Sequence, residues 1–238
     1  MQPPHEKPAK PPRRAFPDSV PSRASSNGEI QRWPGNTFIC PFGDESPLRK
    51  ILQKIQDTIR CRERLAQKMH FMPEISWHMT IFEGVNEENR APGFWPLGKE
   101  GQELEDCTKE FLERLDGVEL REEGLAPPYQ MQVEGIAMRP GSVWLKIEAE
   151  SRVEERRLRR LRDVLAKSIG LRTPTHESYE WHVGFCYLIR HLDDEDEAEL
   201  RRIVDELETT VKVKFELKSL HFCDFENLHV FRSLLVLG

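Results

Sequence analysis

Two hexapeptides that stand 104 positions apart, Trp77-His78-Met79-Thr80-Ile81-Phe82 and Trp181-His182-Val183-Gly184-Phe185-Cys186, each set a histidine behind a tryptophan in a run of strand-forming residues. Side chains alternate along a strand, so His78 and Thr80 share one face, as do His182 and Gly184, each pair roughly 7 Å apart. The tryptophans fall on the opposite face by the same parity and are assigned to the core. A chain that repeats a histidine strand must bring two strands of equal rank into one fold, and the pairing points to a two-histidine active site.

The segments around these strands divide the chain. Asn36–Cys40 has strand composition and follows the turn residues Trp33-Pro34-Gly35. Ser46-Pro47 opens a helical stretch to about Met69, with Leu48, Ile51, Leu52, Ile55 and Ile59 at three- and four-residue spacing. The first histidine strand follows at Trp77–Val85, then a Gly/Pro-broken loop to Gly101 and a helix over 102–115. The second half replays this order. A hairpin of Tyr129–Met138 and Ser142–Ile147 turns at Arg139-Pro140-Gly141, a charged helix covers 151–168, and the second histidine strand spans Tyr179–Ile189. A helix at 194–208 and strands near 211–223 and 229–237 complete the chain. The order predicts an α+β fold of two sheet-and-helix lobes with a central cleft, formed by residues 29–238.

Residues 1–28 hold seven of the 17 prolines and carry +3, leaving −9 on the remainder. This composition predicts a disordered, proline-rich tail. Its charge also leaves open an interaction role, testable by deleting the segment. The densest basic run, Arg152–Arg162, is interleaved with Glu154, Glu155 and an apolar set, and reads as a solvated helix face rather than an RNA-backbone patch.

Other classes are disfavoured by composition. No apolar run approaches the roughly 20 residues that span a bilayer, and the proline-broken N-terminus lacks a signal-like core, so an intracellular, cytoplasmic protein with no membrane contact is expected. The five cysteines are widely spaced and odd in number, which predicts reduced thiols, and none has zinc-finger spacing, so neither a metal nor another cofactor is expected. A net charge of −6 argues against tight duplex binding but not against a nucleotide or an RNA end held in a cleft. No stable protein partner is legible, and a monomer is expected.

The chain resembles the 2H phosphoesterase superfamily, and within it the DUF1868 branch. The resemblance rests on Gly35-Asn36-Thr37-Phe38-Ile39-Cys40, on Trp77 to Val85 with Arg90 and Trp95-Pro96, on Met138-Arg139-Pro140, and on Ser178-Tyr179-Glu180-Trp181-His182 running into Tyr187-Leu188-Ile189. It implies metal-independent hydrolysis of cyclic phosphodiesters, such as RNA 2′,3′-cyclic phosphate ends or small cyclic nucleotides. His78 and His182 would act as the acid/base pair, since an imidazole can be neutral or charged near pH 7. Family analogy leans towards His182 as base and His78 as acid in ring opening. Thr80 is the expected phosphate donor.

The second motif departs from the family's His-x-Thr/Ser-x pattern, with Gly184 in place of the hydroxyl residue. That leaves three readings open: a weakened enzyme, a nucleotide- or RNA-binding protein without turnover, or an RNA end ligase. Asn36, Tyr179 and Arg139 are further substrate-binding candidates, as is Arg90. Asn36 could equally cap a turn, and Arg139 could be an exposed turn residue. His70, His191, His221 and His229 are assigned structural places.

Overall fold

A computed structural model describes residues 14–238. Strands β1 (Gly35–Pro41) and β3 (His78–Asn86) pair antiparallel, and β1 also pairs with β8 (Leu220–Asn227), which pairs in turn with β9 (Val230–Leu237). This gives a four-stranded sheet in the order β3-β1-β8-β9. The second sheet has the order β2-β6-β5-β4-β7, from β2 (Met69–Phe71), β4 (Tyr129–Arg139), β5 (Ser142–Ala149), β6 (His182–Leu188) and β7 (Lys214–Leu217). The lobes are therefore not the two sequence halves. The C-terminal hairpin returns to the first sheet, and β2 crosses to the second.

Helices link the sheets as well. Helix α1 (Pro47–Arg60) follows a strand of the first sheet yet packs against β6 of the second, and α4 (Arg152–Ile169) follows β5 and packs against β4 and β5 of its own sheet and β3 of the other. Each buries a stripe at helical spacing: Leu48, Leu52, Ile55 and Ile59 in α1, and Leu158, Leu161, Leu165 and Ile169 in α4. Helix α3 (Leu104–Leu115) packs beside α4, and α5 (Asp194–Val211) beside α1. Local signals set the ends of α4. The Ser151 hydroxyl accepts the Glu154 amide at 3.1 Å, and Gly170 closes the helix at φ 70°, where a side chain would be strained. One continuous apolar core joins both sheets and all these helices. No helix among the described residues is long and apolar enough to cross a membrane.

Three expectations change. The helix expected to about Met69 ends at Arg60, where the apolar stripe gives way to Arg60, Arg62, Glu63 and Arg64. A single turn, α2 (Glu63–Ala66), and β2 follow. Second, the part of the expected tail that is described, residues 14–28, is packed against the body. Ala24 is buried and bridges Ile30, the Ser19 hydroxyl donates to the Leu188 carbonyl, and the Arg23 guanidinium lies 4.7 Å from the centre of the Trp33 ring. Small and apolar residues between the prolines provide these anchors. Residues 1–13 lie outside the described residues. Third, Arg162 in the basic run is fully buried, as is most of Glu154, so that helix face is only partly solvated.

Candidate active site

The two histidine strands meet at the seam between the sheets. His78 opens β3 and His182 opens β6, and both line one cavity of about 330 Å³. Their supports are equivalent. His78 Nδ1 lies 2.7 Å from the Ser76 carbonyl, and His182 Nδ1 lies 2.8 Å from the Glu180 carbonyl, the residue two places earlier in each case. A carbonyl can only accept, so Nδ1 carries the proton and Nε2 of a neutral ring is left as a base. Neither Nε2 hydrogen-bonds to a described residue.

The surroundings of the two rings differ. His78 meets Phe231 edge-on with ring centres 4.4 Å apart, whereas His182 stacks on Trp144 at 4.0 Å and 18°. Burial pushes His78 down to about 4; the Ser76 carbonyl opposes this and the neighbouring His182 adds to it. Burial also lowers His182, opposed by the Glu180 carbonyl, with Arg139 lowering it and the Glu180 carboxylate raising it. Within the protein's own environment both rings are neutral at pH 7. A proton added to the pair prefers His182, whose shift is smaller and whose ring faces an indole that favours a cation.

Both strands carry a bulge at the same repeat position. On β3, Ile39 pairs with Thr80 and Phe38 with Phe82, which leaves Ile81 extra; on β6, Trp144 pairs with Gly184 and Val143 with Cys186, which leaves Phe185 extra. A bulge reverses side-chain parity beyond it. The cleft face therefore reads His78, Thr80, Glu83 on one strand and His182, Gly184, Tyr187 on the other, with the intervening residues buried.

Each extra residue's carbonyl is tied down by a polar residue buried among the apolar stripe of a helix, α4 in one case and α1 in the other. Arg162 Nη1 of α4 donates to the Ile81 carbonyl at 2.6 Å, and Gln56 Nε2 of α1 donates to the Phe185 carbonyl at 3.0 Å. The Arg162 guanidinium lies beneath the Tyr179 ring, 4.1 Å from its centre. Its Nε and Nη2 have no partner among the described residues. Burial lowers Arg162, while nearby Tyr179 and Glu83 raise it. Glu83 is in turn raised by burial, against the opposing charge of Arg162 and the hydroxyls of Thr173 and Thr175.

Thr80, Gly184, Tyr179 and Asn36 all line the cavity with the histidines, but two of them are already engaged. The Tyr179 hydroxyl donates to the Thr80 carbonyl at 3.3 Å, so it positions the β3 backbone. Asn36 is buried; its Nδ2 donates to Thr108 Oγ1 at 2.9 Å and its Oδ1 accepts the Val85 amide at 3.0 Å. Gly84 allows this approach, because a Cβ there would fall 2.0 Å from Asn36 Oδ1. Arg139 does not line the cavity: it pairs with Glu180 and lies over Trp144 at 4.9 Å. Arg90 is also outside, bonded to the carbonyls of Glu100 and Gln102 and stacked over Trp95. The described histidines other than 78 and 182 do not line it.

Sequence reasoning missed Arg23, Glu83, Trp144 and Tyr187. Arg23 is the one lysine or arginine among the described residues lining the cavity, and it comes from the segment read as a tail. Glu83 and Tyr187 were hidden by the bulges, whose signal is the break in alternation at Ile81-Phe82 and again at Phe185-Cys186.

The family model 2H-phosphodiest, a domain of unknown function (DUF1868), matches residues 23–142, half of the chain. A search of curated proteins finds no match. Among solved structures, a conserved protein of unknown function from Agrobacterium tumefaciens is similar at TM-score 0.83 and 24% identity, covering 94% of each chain. TT0787 of Thermus thermophilus is similar at TM-score 0.48 and 14% identity, over 87% of this chain and 97% of the other. Usb1 of Kluyveromyces marxianus, solved with uridine monophosphate, is similar at 0.44 and 11%, over 90% and 99%. The chain belongs to the 2H phosphoesterase superfamily, in its DUF1868 branch.

Proposed function

We propose that this 2H-superfamily chain is a phosphodiesterase that opens cyclic phosphodiesters, an RNA 2′,3′-cyclic phosphate end or a small cyclic nucleotide, by acid/base catalysis between His78 and His182. The observation that carries the reading is the equivalence of the two imidazoles: the same repeat position, the same Nδ1 anchor two residues back, and Nε2 of each left as the working nitrogen in one cavity. A neutral Nε2 takes the proton of an attacking water as its oxygen bonds to phosphorus. The imidazolium of the other histidine gives its proton to the ribose oxygen as that P–O bond breaks. One proton is taken and one returned, so the pair is restored by a net exchange with solvent.

The lowered affinity of both rings for protons fits this scheme, because an arriving phosphate anion recruits the one proton that the reaction needs. The proton's preference for His182 supports His182 as acid and His78 as base in ring opening. Thr80 donates to a non-bridging oxygen, and Arg23 supplies the fixed positive charge. The cavity takes one nucleotide rather than a length of duplex, which fits the chain's net charge of −6.

The test is turnover of uridine 2′,3′-cyclic phosphate by the wild type, His78→Ala and His182→Ala, with thermal unfolding measured beside it. Wild-type turnover, lost in both variants at unchanged melting temperature, is expected. Undiminished turnover in either variant overturns the assignment. A second reading, a nucleotide-binding protein without turnover, is favoured by Gly184 alone; it predicts that the wild type binds the cyclic nucleotide and leaves it intact.

A further inference from the structure

The chain has three tyrosines, and two of them spend their hydroxyls on the fold: Tyr129 donates to the Leu125 carbonyl and Tyr179 to the Thr80 carbonyl. Tyr187 is the exception. It lines the cavity, half-buried, and its hydroxyl has no hydrogen-bond partner among the described residues. Open to the cavity, it is free to donate to a ligand held there. The Arg23 guanidinium lies 5.4 Å from the centre of the Tyr187 ring, which brings the cavity's one described lysine or arginine beside the tyrosine.

Its position relative to Gly184 gives it meaning. A Cβ built on Gly184 points into space where its nearest neighbour is Tyr187 Oη, at 3.6 Å. A threonine hydroxyl at 184 would lie one bond beyond that carbon, in the region the phenol oxygen reaches. The bulge at Phe185 makes this possible, since without it Tyr187 would face the core. The two repeats are complementary. The strand with a hydroxyl at the motif position, Thr80, carries Glu83 after its bulge. The strand without one, Gly184, carries a tyrosine there.

We propose that the Tyr187 hydroxyl is the second phosphate donor of this site, replacing the hydroxyl that Gly184 lacks. The glycine is then the matched partner of the tyrosine: a Cβ at 184 would be in ordinary contact with the phenol oxygen at 3.6 Å, and the atoms beyond it in a threonine would compete for the phenol's space. The phosphate is held between Thr80 and Tyr187, one hydroxyl from each strand, with Arg23 behind the tyrosine. The assignment rests on the proposed phosphodiester site, but a binding measurement separates it from turnover.

The experiment compares wild type, Tyr187→Phe, Gly184→Thr and the double variant. It reads turnover of uridine 2′,3′-cyclic phosphate and calorimetric affinity for uridine 3′-monophosphate. Tyr187→Phe is expected to lose about 10–100-fold in turnover, the worth of one hydrogen bond to a charged group, with weaker nucleotide binding and an unchanged melting temperature. Gly184→Thr alone lowers turnover by crowding the tyrosine, whereas the same substitution in Tyr187→Phe restores much of what was lost.

Wild-type turnover and affinity in Tyr187→Phe overturn the proposal, as does a gain in turnover from Gly184→Thr alone. A wild type that hydrolyses nothing but whose nucleotide affinity falls in Tyr187→Phe overturns the phosphodiesterase reading and keeps the Tyr187 assignment. Hydrolysis that depends on the histidines and not on Tyr187 does the reverse. No binding of the nucleotide by the wild type overturns both.

Discussion

Asn36 decides whether a residue that lines the cleft serves substrate or scaffold, and Asn36→Ala separates the two. In the fold its amide is fully engaged. Oδ1 accepts the Val85 amide at 3.0 Å, and Nδ2 donates to Thr108 Oγ1 at 2.9 Å, whose own proton goes to the Leu104 carbonyl at 2.8 Å. Truncation leaves the Val85 N–H buried without a partner, at about 1–3 kcal/mol, and removes the Thr108 hydrogen bond, worth about 0.5–1.5 kcal/mol. The sum, about 1.5–4.5 kcal/mol, corresponds to a fall of roughly 3–18 °C in melting temperature for a domain of this size.

Thermal unfolding followed by far-UV circular dichroism measures it, with cyclic-nucleotide turnover per folded molecule as the second readout. The expected result is a clear loss of stability with KM within about threefold of wild type, a difference of about 0.7 kcal/mol. Asn36→Asp supplies a control whose stability, unlike that of Asn36→Ala, depends on pH at this position. A buried carboxyl at this position is held protonated, where it can still donate to Thr108, so its stability falls as pH rises through the raised pKa. A wild-type melting temperature in Asn36→Ala combined with a raised KM would refute the reasoning and make Asn36 a substrate ligand.

Two further outcomes follow from the buried groups around the site. Arg162→Met removes a buried charge with two unpartnered nitrogens and fills much the same volume, so the melting temperature should move less than in Arg162→Ala, which opens a cavity costing about 2–5 kcal/mol. Turnover should nonetheless fall in Arg162→Met, because the Ile81 carbonyl is released and Thr80 and Glu83 lose their register; unchanged turnover would show that the bulge holds itself. The depressed His78 pKa, about 4 in the fold against 6.5 unfolded, gives an acid-side stability loss. The unfolded chain binds the proton first, so stability present above pH 6.5 is lost as the pH falls through about 4, by up to about 3 kcal/mol. Urea midpoints across this range should show the slope, reduced in His78→Asn; an identical slope in that variant would place its origin elsewhere.

How far the fold could be read from the residues depended on whether each signal was local. The helix over 102–115, the charged helix closed by Gly170 and the hairpin at Arg139-Pro140-Gly141 follow from spacing and turn chemistry, and the structure has them at Leu104–Leu115, Arg152–Ile169 and β4–β5. The crossing of α1 to the second sheet, and the contact of α4 with β3 as well as with its own sheet, left no local mark. An apolar stripe says that a face is covered and not by which sheet. The return of β8 and β9 to β1 is likewise a non-local pairing. The segment 14–28 misled because proline-rich composition lowers the odds of a core without forbidding single anchors such as Ala24 and Ser19.

At the site, strict alternation carried the reading as far as Thr80 and Gly184, and it fails one residue later in both strands. Continued alternation would have put Phe82 and Cys186 in the cleft, where an aromatic ring and a thiol offer little to a phosphate. The bulges bury both and present Glu83 and Tyr187 instead. Two consecutive apolar residues at the same offset in both repeats are a readable sign of such a bulge, since one slip in a strand is ordinary and the same slip twice, 104 residues apart, is structure. The polar residue beside each is the other half of the sign. Gln56 follows Ile55 and Arg162 follows Leu161, each inside an otherwise apolar stripe, and a polar group there must find a partner or cost the fold its desolvation. Each finds the carbonyl of its bulge's extra residue, Arg162 that of Ile81 and Gln56 that of Phe185, which also accepts the Met72 amide. The second motif's glycine therefore has to be judged with the residue three places on, because the strand that lacks the hydroxyl at 184 bends to deliver one from 187.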